Sequence, residues 1–120
     1  MSPLERGLLC LAAEDYTGLW DAAAEAAKGH HRMSWLEAQR DASAALAVLL
    51  EQGLISLYLC EEPVGRGDID ELPPGKWRST LAAGPHWNIP TPGVTSVRFL
   101  ATELGSAASS LTTDPHAEGG

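Results

Sequence analysis

The residue types that catalysis uses are all present in this chain, and their spacing assigns them no reaction. Ser, His and Asp occur without a G-x-S-x-G turn, without a Gly-rich loop before Lys-Ser/Thr, and without H-E-x-x-H. The acid pairs Glu14-Asp15 and Glu61-Glu62 are sequence neighbours, a spacing that implies no shared acid–base site. His30 and His31 are adjacent and point apart on one element. Cys10, Cys60, His86 and His116 are scattered, with no C-x-x-C or H-x-x-x-H spacing. The chain therefore reads as a non-enzyme with no catalytic residue, no metal ligand and no cofactor. Cys10 and Cys60 read as small buried hydrophobes. Arg66-Gly67-Asp68 reads as a polar turn.

Charge and tryptophan carry more information. The 120 residues hold 16 acidic and 8 basic side chains, a net charge of −8. Glu61, Glu62, Asp68, Asp70 and Glu71 crowd residues 61–71 with Arg66 as the one cation. An acidic loop of this kind is either a solvated turn or a surface that steers a basic partner protein toward it. Trp77 and Trp87 follow it, with Leu72, Leu81 and Ile89 nearby. They either fasten this segment to a sheet or form an exposed apolar patch that marks an interface. These seven residues, Glu61, Glu62, Asp68, Asp70, Glu71, Trp77 and Trp87, are the candidate protein interface. A second candidate set is basic. Lys28, Arg32 and Arg98 could meet phosphates, while Ser34, Gln39 and Arg40 could face a DNA groove. Glu37 and Asp41 on the same helix would repel phosphate, so this alternative requires a dimer.

The elements that must position these residues follow from capping and periodicity. Ser2 with Glu5 forms a capping box, and Pro3 suits a first helical position. Leu4, Leu8, Leu11 and Ala12 then make one apolar stripe. A second, Ala-rich helix covers Gly18 to Lys28 and stops at Gly29. Leu19, Ala23 and Ala26 share one of its faces, with Trp20 beside them. A third begins at the Ser34–Glu37 box and runs to about Gln52, with Gly53 as its stop. Trp35, Ala38, Ala42, Leu46, Leu49 and Leu50 form its buried stripe, which places both Trp20 and Trp35 in the core. At Gly53 the period changes. Leu54 to Cys60 reads as a strand with Ile55, Leu57 and Leu59 on one face. A loop over 61–71, a short helix from Pro74 to Ala83, an irregular stretch through Pro90 and Pro92, and a second strand from Val94 to Ala101 complete the pattern. Residues 106–120 have little to bury and read as a disordered tail.

The expected fold is thus α+β. Three N-terminal helices pack with a two-stranded antiparallel wing that carries a long helical insert. Residues 1–105 form one domain, and residues 61–93 are the enlarged insert. No apolar run nears the roughly 18 residues of a membrane helix, and Glu5 and Arg6 break up any leader-like start, so a cytoplasmic location with free thiols is expected. Eighteen alanines against two lysines fit a GC-rich, bacterial source.

Two segments carry a family resemblance. Ala45-Leu46-Ala47-Val48-Leu49-Leu50-Glu51-Gln52-Gly53-Leu54-Ile55 resembles the passage from third helix to first wing strand in winged helix-turn-helix regulators. Val97-Arg98-Phe99-Leu100-Ala101-Thr102-Glu103-Leu104-Gly105 is similar to the wing ending of MarR-like and PadR-like proteins. The resemblance implies a winged-helix fold over about residues 4–105. It departs from DNA-binding relatives in the 33-residue acidic insert and in lacking a long dimerisation helix after Gly105. The expected function is a small acidic winged-helix adaptor, inhibitor or accessory factor that acts through protein contacts. The alternative is a dimeric DNA-binding regulator. A pocket between the insert and the third helix would be the place for any small molecule.

Overall fold

Ser2 and Ser34 each start a helix by closing a reciprocal pair of hydrogen bonds. In the computed structural model, which describes residues 1–62, 67–91 and 93–112, helix α1 spans Pro3–Glu14 and α3 spans Trp35–Glu51. Ser2 Oγ accepts the Glu5 N–H at 3.1 Å while the Ser2 N–H donates to the Glu5 carboxylate at 3.1 Å. Ser34 and Glu37 repeat this at 3.1 and 2.9 Å. Each box satisfies two backbone donors that a helix start leaves open. Past the end of α3, Gly53 adopts φ 73°, a left-handed conformation that suits glycine. Between these helices α2 covers Leu19–Ala27, one residue inside the expected bounds at each end.

The helices bury most of the expected apolar faces. Leu8, Leu9 and Ala12 of α1, four residues of α2, and Ala38, Ala42, Ala45, Leu46, Leu49 and Leu50 of α3 enter one core, while Leu4 and Leu11 of the expected α1 stripe are only half-buried against it. Trp35 does not enter the core. It stands one turn ahead of Ala38, the first buried position of α3, and is 48% exposed beside Leu36 at 55%. Trp20 also leaves the helical core. Its ring folds back over Gly18, where an added Cβ would come within 2.2 Å of it.

The sheet has four antiparallel strands in the order β1-β4-β2-β3, not two. Strand β2 (Ile55–Glu61) pairs along its whole length with β4 (Thr95–Ala101), from Ile55↔Ala101 to Glu61↔Thr95. The two-residue β1 (Thr17–Gly18) joins the outer edge of β4. Strand β3 (Ile69–Glu71) joins β2, so the segment expected to be an acidic loop ends as a strand. Neither short strand is long enough to show alternation, and Asp and Glu are poor strand formers. Leu57, Val97 and Phe99 turn inward onto the helices.

The insert also enters the core. A 3-10 turn (Pro74–Lys76), helix α4 (Trp77–Ala82) and a second 3-10 turn (Gly84–Trp87) replace the single short helix expected there. Leu81 and the fully buried Trp87 close the core from this side.

The expectation of a disordered tail is corrected over residues 106–112, which belong to helix α5 (Glu103–Thr112). Residues 113–120, the rest of that expected tail, lie outside the described residues. Thr102 starts α5. Its Oγ1 accepts the Gly105 N–H at 3.0 Å and donates to the Gly53 carbonyl at 2.7 Å. Gly105 lies flat against β2's entry, where an added Cβ would sit 1.8 Å from the Leu54 oxygen. The helix then rests on α1, with Ser109 buried 3.9 Å from the Cys10 sulfur. Cys10 is accordingly only half-buried, whereas Cys60 is fully buried. Leu104, Ala107, Ala108 and Leu111 follow helical spacing in α5, a signal hidden among Ser, Thr and small Ala side chains. Among the described residues no helix is long and apolar enough to cross a membrane.

Gly105→Ala should therefore lower stability by about 1–3 kcal/mol through overpacking against the Leu54 backbone. Gly75→Ala, which meets nothing within 4 Å, should be close to neutral. Urea midpoints of the two variants against wild type check this pair.

Candidate interaction surfaces

Strand alternation sends Tyr58 and Cys60 of β2, with Ser96 and Arg98 of β4, to the sheet face opposite the helices. Arg98 reaches Glu62, just past the end of β2, through two parallel bonds. Nε donates to Oε2 and Nη2 to Oε1, both at 3.0 Å. Ser96 Oγ adds a 2.5 Å bond to Oε2, and Arg98 Nη1 donates to the Tyr16 carbonyl at 3.4 Å. The guanidinium carbon lies 4.9 Å from the centre of the Trp20 ring, a cation–π contact. The two charged side chains are only 18% and 10% exposed. Hydrogen bonds from Arg98 hold the Glu62 carboxyl below the ordinary carboxylate range, against the opposing effect of burial, and Ser96 assists.

This cluster fastens the sheet and activates no nucleophile. Burial pushes the Cys60 thiol up, outweighing Arg98, so the neutral thiol is favoured. Burial, followed by the Glu71 charge, also raises the Tyr58 hydroxyl. Tyr58 packs edge-on to Tyr16 with ring centres 5.4 Å apart.

Two candidate residues are thereby reassigned. Glu62, expected on an interface, and Arg98, expected on phosphates, are committed to each other. They lie 36 positions apart, and only the β2–β4 register brings them together. Trp87 is likewise removed from the candidate interface. It is 0% exposed, and its Nε1–H donates to the Leu81 carbonyl at 3.0 Å. Glu61, Asp68, Asp70 and Glu71 are exposed on the β2–β3 hairpin, and none has an ion-pair partner among the described residues. The Glu61 N–H donates to the Asp68 carbonyl at 3.0 Å and draws the two ends of the hairpin together.

The basic set is dispersed. Lys28 is exposed and lies 3.9 Å from Glu25, Arg32 is exposed, and the Ser34 hydroxyl is occupied as a cap. Exposed Arg40 shares its turn of α3 with exposed Glu37 and Asp41. The bonds from Ser34 hold the Glu37 carboxyl below its ordinary range.

Gln39 and Arg40 border a feature that the residue-by-residue reading left unspecified. A groove of about 610 Å³ runs between α3 and α4. Its walls include Ala44 and Ala47 of α3 and half-buried Trp77 with Leu81 of α4. The signal was present as i,i+3 and i,i+4 spacings, which put each pair on one helix face. Trp77 therefore lines this groove and not the acidic surface.

Glu62→Gln should cost about 1–3 kcal/mol at neutral pH, because it weakens a charge-assisted pair and leaves Arg98 sequestered. Since folding depresses the Glu62 carboxyl, its contribution is complete above the ordinary carboxylate range and is lost as pH falls through the folded value. Urea midpoints measured across the acid range should show the gap between wild type and Glu62→Gln closing as pH falls. A constant gap contradicts this account.

No family model, curated protein or solved structure matches the chain, so the reading of these surfaces rests on their own geometry.

Proposed function

We propose that the chain is a non-catalytic winged-helix module that works through protein contacts, with its acidic hairpin docking on a basic partner protein. The element order supports the first half of this reading. With β3, α4 and the two 3-10 turns counted as an insert between the long strands and α5 as an addition, helix, short strand, two helices and two long strands, with β1 beside β4, occur in the order of a winged helix-turn-helix domain. The observation that carries the second half is the hairpin. Glu61 ends β2, Asp68 precedes β3, and Asp70 and Glu71 lie within β3 on opposite faces of the strand; all four are exposed, and Arg98 of neighbouring β4 is spent on Glu62. A concentration of like charges with no ion-pair partner among the described residues raises the encounter rate with an oppositely charged surface.

The duplex-DNA alternative loses support from the same geometry. A wing that approaches phosphate with four carboxylates is repelled, and two of the six residues it would use, Ser34 and Arg98, are engaged elsewhere.

The test compares wild type with Glu61→Gln, Asp68→Asn, Asp70→Asn and Glu71→Gln combined. All four positions are exposed, so the variant should fold with an unchanged melting transition. A partner cross-linked by wild type in its native host at low salt should associate with the variant about tenfold more slowly or worse. Equal association of the variant removes the hairpin from the proposal. Fluorescence anisotropy with mixed duplex DNA should show no binding at low salt, and a salt-sensitive rise in anisotropy would restore the regulator reading.

A further inference from the structure

The α3–α4 groove has three properties of a ligand site that the hairpin reading does not use. The first is size. About 610 Å³ falls within the range of small-molecule pockets, and the walls formed by Ala44, Ala47, Trp77 and Leu81 are apolar. The second is an unsatisfied donor. The Trp77 Nε1–H is shielded from solvent with no acceptor, and it is the sole buried side-chain polar atom in that condition among the described residues. Buried donors in folded proteins nearly always have partners, so this one calls for an explanation. Trp87, ten positions on, shows the ordinary arrangement, with its N–H bonded to a carbonyl. The third is charge. Arg40 and Arg78 both line the groove, and neither has an ion-pair or hydrogen-bond partner among the described residues.

These features define a ligand chemistry. The walls suit a flat apolar body. The guanidiniums suit an anion with two oxygens, and the indole N–H suits one further acceptor contact. Glu51 also lines the groove, eleven residues beyond Arg40, or about 16 Å along the axis of α3. It disfavours an anion at that end and so orients the charged group toward Arg40. We infer that the α3–α4 groove binds a small organic carboxylate with a flat apolar body, its oxygens taken by the rim guanidiniums and the Trp77 indole N–H. Because the Trp77 N–H is shielded from solvent, this contact requires the half-buried ring to turn toward the groove on binding. The inference is independent of the hairpin and stands or falls without it.

The probe is naphthalene carboxylate, with naphthalene methanol as its neutral counterpart, added to the full-length protein. Binding is followed by the Trp77 indole resonance in proton–nitrogen correlation spectra, assigned by its disappearance in Trp77→Phe. The carboxylate should move that resonance saturably, with a dissociation constant of about 1 mM or tighter. The alcohol should bind about tenfold more weakly. Arg40→Met combined with Arg78→Met, two exposed positions whose change leaves the melting transition in place, should weaken the carboxylate about tenfold and leave the alcohol unchanged. A resonance that does not move overturns the inference. Equal affinity for the alcohol, or undiminished affinity in the double variant, overturns it as well.

Discussion

A one-residue slip between β2 and β4 would turn either the Leu57 set or the Phe99 set away from the helices and separate Glu62 from Arg98. Both ends of the pair are fastened against that slip. At one end Arg98 and Ser96 grip Glu62, and the Glu62 N–H continues the ladder to the Val94 carbonyl. At the other, Thr102 donates its N–H to the Leu54 carbonyl and its hydroxyl hydrogen to that of Gly53. The remaining elements depend on this register. Strand β1 adds to β4, β3 adds to β2, and α5 starts where β4 releases the chain. The acidic hairpin projects as it does because its inner strand is held by an ion pair with little exposure to water.

The local part of this structure was legible in the sequence. Capping boxes, a glycine stop and a change of hydrophobic period each act over a few residues, so Ser34, Glu37 and Gly53 mark their element without reference to the rest of the chain. The elements that escaped are those whose stability comes from a distant partner. Strands β1 and β3 have two and three residues and exist because β4 and β2 offer them an edge. Helix α5 has only a stripe of mostly small residues and is held because Thr102 caps it and Gly105 and Ser109 fit close against neighbours. The site residues divide in the same way. Exposure of Asp68 and Asp70 follows from composition. The capture of Glu62 by Arg98 follows only from register.

Trp77 and Trp87 show how one residue type takes two fates within a single insert. The two cannot be distinguished by type or by neighbouring sequence. Trp87 ends a 3-10 turn that places its ring in the core and its N–H against the Leu81 carbonyl, so burial costs no hydrogen bond. Trp77 opens α4 and leans on α3 at the margin of the core, where its N–H loses water without gaining an acceptor. One tryptophan closes the fold, and the other leaves a polar demand at the surface. The insert between β2 and β4 thus does two things, supplying core volume and forming one wall of a groove.

The contact between α1 and α5 has a consequence for how the fold is reached. Cys10 and Ser109 lie 99 positions apart, and Arg98 meets the Tyr16 carbonyl across 82. Contacts of such span require the closure of long loops, and that entropic cost falls before the contact repays it. The three helices can associate early, because α1, α2 and α3 are neighbours in the chain. The sheet cannot assemble until β4 arrives, since β4 lies between β1 and β2 and joins them. During synthesis, β2 must therefore wait with an unpaired inner edge while some thirty further residues are added. Glu61 at the end of β2 and the carboxylates that follow, Glu62, Asp68, Asp70 and Glu71, keep that waiting edge solvated and repel a second chain in the same state.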